Sequence, residues 1–380
     1  MSIPTVIRLF TAVCFLLLVT QALNAQAPFL SSLNHVDTIV STIPANGDVN
    51  PYGVAIVPVT MGRLAANNIL VSNFNNSANL QGKGTTIVQI SPSGIPSLFA
   101  QIDAKTLPGP DTCPGGVGLT TALVALSSGF VIVGSLPTTD GTSATAQAGC
   151  LIILSNDGNP IATLSGNDLS NGVKCPGNGI NGPWDMTALD QGASATLFVT
   201  NVLNGTVTAN GTVVSQGSVL RIVLSTPTGG TASALSCTTI ASGFDERTDP
   251  AALVIGPTGL GLGADGVLFV ADTLNDRIAA IPNAVSTTND AGAGMTVVQG
   301  GPLEMPLGLA IAPNGDILTM NAGNGQIVDS RPNGKRAGAR FVDLSRSRNG
   351  AGTLFGVAVA PGGDAVYFVN DGNNTLAILQ

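Results

Sequence analysis

The sequence is poor in histidine, charge and aromatic side chains. Its 380 residues include one histidine (His35), one tryptophan (Trp184), two glutamates and four lysines, with 9% charged and 4% aromatic residues overall. The scarcity of Glu and Lys excludes a coiled coil or a long-helix protein. The 44% apolar content excludes a disordered chain. A single histidine also removes most chemistry that depends on an imidazole base.

Glycine and proline are abundant, with 48 and 23 residues respectively. Together with Asn, Thr, Ser and Val they favour short strands joined by many turns. One sequence pattern recurs along the chain. It consists of an apolar strand after Pro or Gly, a turn, a second strand that ends in a polar residue, and a third strand. The copies open at Pro51, Pro114, Pro183, Pro250, Pro306 and about Thr353.

Six copies, each with four apolar segments, predict an all-β fold: a six-bladed β-propeller of four-stranded antiparallel blades. The last copy ends at Gln380 with its third strand and has no fourth. The segment HVDTIVSTI, residues 35–43, alternates like a strand and precedes the first copy. We therefore expect this N-terminal strand to close the ring, which removes an exposed edge. Residues 26–380 then form a single domain.

The first 25 residues have the parts of a secretory signal peptide. Arg8 precedes the apolar run LFTAVCFLLLVT, and Ala25 is a small residue suited to cleavage. An uncleaved membrane anchor is the alternative, but the run is short for a span of about 20 residues. We expect a secreted or periplasmic protein with no membrane span after cleavage.

Charge and cysteine content agree with export. The formal net charge is −8, and a negative surface disfavours nucleic acid, whose binding requires cations that neutralise phosphates. Four cysteines follow the leader, and an even number suggests two disulfides in an oxidising compartment. Because the first two cysteines fall in blade two and the last two in blade three, we expect the pairs Cys113–Cys150 and Cys175–Cys237.

Motifs in the later copies resemble NHL repeats. The stretch FVADTLNDRIAAI, with Asp272, Asn275 and Arg277, is similar to the second and third strands of that repeat, and residues 306–313 are similar to its first strand. The resemblance extends over all six copies and is loose in copy two. It implies a six-bladed propeller of the NHL-like class. Members include protein-binding platforms, lyases and hydrolases, so the resemblance indicates architecture better than chemistry.

Polar residues recur in pairs, three apart, at the end of the second strand. Short amides and carboxylates bond nearby backbone groups, so these pairs are typical of turns. The alternative is that the first members ring one mouth of the central channel. Oxygen donors that converge on an axis suit a hard cation such as calcium. These first members are Asn73, Asn201, Asp272, Asn321 and Asn370.

The clearest departure from the repeat lies in copy three. Asp185, preceded by Trp184, stands where other copies have glycine at the start of the innermost strand (Gly53, Gly116, Gly308, Gly356). The stretch FDERTDP adds Asp245, Glu246 and Asp249 to the same face. We predict a binding surface on this channel-mouth face, centred on a solvent-accessible Trp184. The alternative is that Trp184 packs between blades and Asp185 caps a turn.

Two functional classes remain open. The favoured one is a monomeric, non-catalytic platform that binds a protein or glycan through the channel-mouth face. It is favoured because the residues of the sequence offer no nucleophile–base pair. The alternative is a calcium-dependent, lactonase-like hydrolase or a lyase, with the ion held by Asp185, Asp272, Asn201 and Asn321.

Two further features bear on this choice. Related calcium-dependent lactonase propellers have a glutamate on the first inner strand, whereas the stretch NPYGVAIV has none, which counts against that chemistry. A basic run from Arg331 to Arg348 is a candidate surface for an anionic partner, or a solvated outer hairpin.

Overall fold

A computed structural model describes residues 27–108, 113–169, 172–343 and 352–380. The expected leader, residues 1–25, lies outside the described residues. Within them, the only α-helix is the single turn α1 (Thr206–Ala209), and none is long and apolar enough to cross a bilayer. Short 3-10 turns occur at Phe29–Ser31, Ala104–Thr106, Ser143–Thr145 and Thr273–Asn275.

Six antiparallel sheets form the blades of a propeller, which confirms the predicted fold class. In each blade the first strand lies at the central axis and later strands lie progressively outward. Blade 1 contains β2 (Val49–Ile56), β3 (Ile69–Asn75), β4 (Thr86–Ile90) and β5 (Pro96–Gln101). Blade 2 contains β6 (Leu119–Ala125), β7 (Val131–Ser135), β8 (Cys150–Leu154) and β9 (Pro160–Leu164).

Blade 3 is the largest blade because its outer strands are long. It contains β10 (Pro183–Asp190), β11 (Ser194–Asn201), β12 (Val214–Ser225), β13 (Ser233–Asp249) and a short fifth strand β14 (Leu253–Ile255). Blade 4 contains β15 (Pro257–Leu262), β16 (Leu268–Asp272), β17 (Arg277–Ile281) and β18 (Met295–Gln299). Blade 5 contains β19 (Pro306–Ile311), β20 (Ile317–Asn321), β21 (Gln326–Ser330) and β22 (Arg336–Phe341).

The last blade is completed by the N-terminal strand, as the sequence predicts. It contains β23 (Leu354–Val359), β24 (Val366–Asn370), β25 (Thr375–Leu379) and, outermost, β1 (Val36–Ser41). Strand β1 pairs antiparallel with β25, from Val36 opposite Leu379 to Ser41 opposite Thr375. The ring is therefore closed by hydrogen bonds between the two ends of the described chain.

The segment before β1 is anchored on blade 5. The backbone N–H of Leu30 donates to the Asp329 carboxylate at 3.1 Å, and that of Phe29 donates to Asp316 at 3.1 Å. The side chains of Leu30 and Leu33 are buried in a cluster shared by blades 5 and 6. Burial of the Asp329 side chain raises the pKa of its carboxyl group to about 6.

The structure corrects the start of two copies. In blade 1 the opening Pro51 of the repeat pairs with Asn73, the polar residue near the end of the second strand. By this register blade 2 begins at Leu119, opposite Ser135, and blade 4 begins at Pro257, opposite Asp272. Pro114 and Pro250, taken from the sequence as opening residues, precede these strands: Pro114 lies in the link before blade 2, and Pro250 lies in the turn between β13 and β14 of blade 3.

Both disulfides pair as the sequence predicts. Cys113, in the link before blade 2, is bonded to Cys150 at the start of β8, with 5.1 Å between their Cα atoms. Cys175, in the link before blade 3, is bonded to Cys237 in β13, with a Cα separation of 4.9 Å. Each bond therefore ties an incoming link to a strand of the blade that follows it.

Candidate functional site

The polar side chains expected to ring the channel mouth are buried in turns. Asn201 accepts hydrogen bonds from the backbone N–H groups of Asn181 and Gly182, at 3.0 and 2.9 Å. Asn73 donates to the carbonyl of Thr42 at 3.1 Å. Asn321 and Asn370 make comparable contacts with neighbouring loops. These side chains bind the end of each second strand to the link that leads into the same blade.

Asp272 is the one charged member of this set, and a nearby cation compensates its charge. Its carboxylate accepts from the Arg277 guanidinium at 2.6 Å and from the Asn275 amide at 3.1 Å. Burial raises the pKa of Asp272, and the contact with Arg277 partly offsets that rise. The Asp–Asn–Arg motif that resembles an NHL repeat is thus a compact ion-pair turn.

Three of the four expected calcium ligands already accept hydrogen bonds through their side-chain oxygens. Asp185, Asn201, Asp272 and Asn321 belong to three different blades, and the oxygens of the first three accept hydrogen bonds from their own surroundings. In the described ranges, no group of three or more His, Cys, Asp or Glu side chains is close enough to share an ion. The calcium site built from these four residues stays a prediction.

A hairpin from blade 3 covers the expected mouth. We call residues 245–255 the capping hairpin; in it the end of β13 pairs with β14, from Arg247 opposite Ile255 to Asp249 opposite Leu253. At its tip, the carbonyl of Pro250 accepts a 2.7 Å hydrogen bond from the Gln81 amide of blade 1. The hairpin therefore reaches from blade 3 to blade 1 over the start of the inner strands.

Trp184 lies beneath this hairpin and is only 3% exposed. Its indole N–H donates to the carbonyl of Val254 at 2.8 Å. Its ring packs against Tyr52 and Phe355, with centroids 6.3 and 6.4 Å away, and Tyr52 in turn stacks on Phe74. The expectation of a solvent-accessible Trp184 is wrong, because these four rings and the capping hairpin together form an aromatic plug in the channel.

The acidic stretch FDERTDP is part of the capping hairpin and is mostly buried. Arg247 and Asp249 form an ion pair at 2.9 Å, and Asp245 accepts from the Ser215 hydroxyl at 2.5 Å. Glu246 is fully buried, with one oxygen bonded to the Asn204 backbone N–H at 3.0 Å and the other without a partner. This burial raises the pKa of Glu246 to about 8.

The basic run on blade 5 also has structural contacts. Arg336 donates to the carbonyl of Gln299 at 2.9 Å, and Arg340 donates to that of Leu30 at 3.3 Å. Arg346 and Arg348 lie outside the described residues. The described part of the run thus ties blade 5 to blade 4 and to the N-terminal segment.

Below the aromatic plug, the inner strands of all six blades enclose a cavity of about 360 Å³. In β10, Asp185 and Met186 beside the plug are buried, whereas Ala188 and Asp190 at the far end are partly exposed. The other inner strands show the same gradient. The channel is therefore closed at the plug, which we call its closed end. It opens at the turns between the first and second strands, which we call its open end.

Asp185 projects from β10 toward the inner strand of blade 4 at the closed end. Its carboxylate accepts from the backbone N–H of Met186 at 2.7 Å and from that of Leu260 at 3.3 Å. The position that Asp185 occupies in blade 3 is occupied by glycine in four other blades (Gly53, Gly259, Gly308, Gly356). In blade 2 the residue at this position is Thr121, and the assignment of Gly116 from the sequence is wrong. Burial raises the pKa of Asp185 to about 7.

Three polar residues that line the channel were not predicted from the sequence: Thr121, Thr187 and Asp190. Thr121 is 4% exposed, lines the closed end, and its hydroxyl has no hydrogen-bond partner. Asp190 ends β10 at the open end, where it accepts from the backbone N–H groups of Ser127 and Gly192 at 2.6 and 2.9 Å. The remaining lining is mainly Val, Leu, Ile and Ala, so the cavity is an apolar tube with a few polar groups.

Comparisons with known proteins extend only to the fold. No family model and no curated protein matches the chain. It is similar to a gluconolactonase from Xanthomonas campestris, at 12% identity over 94% of this chain and 95% of that chain, with a TM-score of 0.53. It is also similar to the PQQ-bound aldose sugar dehydrogenase of Streptomyces coelicolor, at 16% identity over 93% and 98% of the two chains, with a TM-score of 0.51. These similarities define a six-bladed propeller, and membership of the NHL class stays a prediction.

Proposed function

We propose that this propeller is an enzyme of hydrolase or lyase type that acts on a small molecule held in its central channel. The observation that carries the proposal is Asp185, a carboxyl group of raised pKa at the closed end of an apolar cavity. Apolar cavities with a few convergent polar groups are the usual form of small-molecule sites. The names of the two similar structures, a lactonase and a dehydrogenase, agree with an enzyme on this fold.

Asp185 would act as a general acid–base group. A carboxyl with a pKa near neutrality exists in both protonation states, so it can give a proton to a leaving group or take one from carbon. In a hydrolysis it would protonate the departing oxygen while water attacks. In an elimination it would accept the proton released as the bond to the leaving group breaks.

Substitution of Asp185 tests this role. In a screen of chromogenic aryl esters and aryl lactones, we expect Asp185→Asn to reduce turnover by about 100-fold or more, the usual contribution of an acid–base group. The wild-type rate should change with pH around the Asp185 pKa of about 7. Asp265→Asn, on an exposed turn that does not line the cavity, is the matched control. Equal turnover by Asp185→Asn and wild type would contradict the proposal.

A non-catalytic binding protein is the second candidate. The observation that favours it is that, among the described residues that line the cavity, Asp190 is the only other titratable one. It lies five residues along β10 from Asp185, so none of these residues is an acid–base partner beside Asp185. Ligand binding without turnover of any probe would support this candidate. A protein or glycan partner bound through the channel-mouth face, as predicted from the sequence, remains part of this second proposal.

We also propose that the protein is exported after removal of residues 1–25. The two disulfides support this, because such bonds persist in oxidising compartments. N-terminal sequencing of protein from the native host should give Gln26 as the first residue; an intact Met1 would contradict cleavage.

A further inference from the structure

Blade 3 has a second cavity on its outer strands, separate from the channel. Its third and fourth strands, β12 and β13, have 12 and 17 residues, whereas those of the other blades have five or six. The cavity lies between this extended pair and residues 176–179 of the link that precedes the blade, and we call it the blade-3 groove. Its volume is about 470 Å³, compared with about 360 Å³ for the channel.

The floor of the groove is polar because one face of β12 changes character along its length. Alternate residues of a strand share a face, and Leu220, Ile222 and Leu224 belong to the apolar core between blades 2 and 3. The next residue on this face, Ser218, lines the groove. Gln216 follows at a register shift between β12 and β13, and it also lines the groove. Such bulges re-aim side chains and are frequent beside functional sites.

Three polar side chains of the groove are accessible and have unused hydrogen-bonding groups. Gln216 is exposed, and Ser218 and Thr239 are half-buried, so each presents part of its surface to the groove. Within the part of the chain that the structure describes, none of these three side chains has a hydrogen-bond partner. The groove therefore offers one amide and two hydroxyls to a ligand, and no protein contact has to be broken to use them.

The two walls of the groove are held in place by covalent and hydrogen bonds. The disulfide Cys175–Cys237 joins the link to β13 two residues before Thr239. In the link, the amide of Asn178 donates to the side-chain oxygen of Asn204 at 3.1 Å. A site whose walls are already fixed loses less conformational entropy when a ligand binds. The groove is therefore suited to binding a small ligand.

The charge in the groove disfavours ionic ligands. Among the described residues that line it, Asp290 is the only charged one. Its two oxygens accept hydrogen bonds from the Ser242 hydroxyl and from the backbone N–H of Gly292. An anionic ligand would therefore find no cation, and a cationic ligand would find one exposed carboxylate that already has partners. Hydroxyl groups both donate and accept hydrogen bonds, and so do the amide and hydroxyls of the groove.

We propose that the blade-3 groove binds a short neutral saccharide, whose hydroxyl groups hydrogen-bond to Gln216, Ser218 and Thr239. The volume of the groove lies within the usual range for small-molecule sites. The proposal does not depend on the channel or on Asp185. It assigns a place on the face of the capping hairpin to the glycan partner of the second candidate function.

Small disaccharides test the class of ligand. The neutral probes are maltose, cellobiose, xylobiose and chitobiose, and the charged probes are digalacturonate and diglucosamine. By isothermal titration calorimetry at neutral pH, with both disulfides intact, we expect at least one neutral disaccharide to bind with a millimolar or lower dissociation constant. Both charged probes should bind at least about tenfold more weakly. Retention of the protein on the matching polymer would identify a polysaccharide chain as the ligand, and its absence would identify a free saccharide.

Two neighbouring threonines of β13 provide matched variants. Thr239→Val keeps the shape and removes the hydroxyl, so it should weaken binding by about twofold to tenfold, the usual net contribution of one hydrogen bond. Thr238 is also half-buried but does not line the groove, so Thr238→Val should leave binding unchanged. Gln216→Ala, at an exposed position, should weaken binding to a similar extent without a risk to folding, which circular dichroism would verify for each variant.

The outcomes separate this inference from the proposed function. Binding of none of the neutral disaccharides, or tighter binding of a charged probe, would overturn the inference. Unchanged binding by folded Thr239→Val and Gln216→Ala would also overturn it. Asp185→Asn should bind the saccharide like the wild type, and Thr239→Val should retain any turnover of aryl esters. Loss of saccharide binding in Asp185→Asn would place the saccharide in the channel and contradict the groove as its site.

Discussion

Raising the pH from about 5 to about 8 is expected to lower the free energy of unfolding by at least about 2 kcal/mol. Three buried carboxyl groups carry this expectation: Asp329, Asp185 and Glu246, with pKa values raised to about 6, 7 and 8. In each case burial disfavours the ionised form. The native state therefore holds these protons more tightly than the unfolded chain does.

The direction follows from proton linkage. A group whose folded pKa lies above its unfolded value contributes stability that is fully present below the unfolded pKa, near 4 for carboxyl groups. That contribution is lost as the pH rises through the folded values, here from about 6 to about 8. Many proteins lose stability on acidification, so an increase in stability toward pH 5 would be distinctive.

Urea unfolding at several pH values, with both disulfides intact, measures the effect. Glu246→Gln should flatten the dependence between about pH 7 and pH 8, because it removes the group that titrates highest. Asp265→Asn, on an exposed turn, should keep the wild-type slope. Stability that is constant or rises from pH 5 to pH 8 would show that these carboxyl groups are ionised in the native state.

The propeller could be predicted from sequence because its signals are local and repeated. Each blade has its own strands and turns, so an error in one copy, such as the opening of copy two at Pro114, does not change the count of six. The closing strand could be predicted because one segment, residues 35–43, had no blade of its own and the last blade lacked a fourth strand. The disulfides followed from the same assignment, because it placed two cysteines near each of two blades.

The capping hairpin could not be predicted in this way. It occurs once, and its docking depends on contacts far apart in sequence, such as Gln81 with Pro250 and Trp184 with Val254. Its apolar strand β14 has the composition of an inner strand, so copy four was started seven residues early, at Pro250 rather than Pro257. Without the hairpin, Trp184 would be exposed at an open channel mouth. Because the hairpin was not predicted, the sequence led to the prediction that Trp184 is exposed.

The candidate site was recognised in part. Asp185 was singled out because it replaces glycine in a repeated position, and the structure places it on the wall of the channel. Thr121 was missed because Gly116 was aligned with that position, and only the pairing of Leu119 with Ser135 corrects the alignment. Asp190 was missed because nothing in the sequence shows which end of the channel is open.

The glycines of this same ring should be among the positions least tolerant of substitution. A Cβ added at Gly308 would overlap the backbone carbonyl oxygen of Phe355 on the neighbouring inner strand, and one added at Gly356 would overlap that of Tyr52. Because the obstacle is backbone on a closed ring, no side chain can move to relieve it. Gly308→Ala should therefore destabilise the protein by at least about 3 kcal/mol, in the range of severe overpacking.

Gly338 provides the matched control in the same blade. It lies in the outer strand β22 of blade 5, has no positive φ, and an added Cβ there meets no heavy atom within 4 Å. Gly338→Ala should change the free energy of unfolding by less than about 0.5–1 kcal/mol and should not lower it. Urea unfolding of the two variants side by side measures the difference. Similar stabilities for Gly308→Ala and Gly338→Ala would mean that the inner strands are not packed closely enough for glycine to be required. The narrow ring that fixes Asp185 and Thr121 at the closed end would then lose its structural basis.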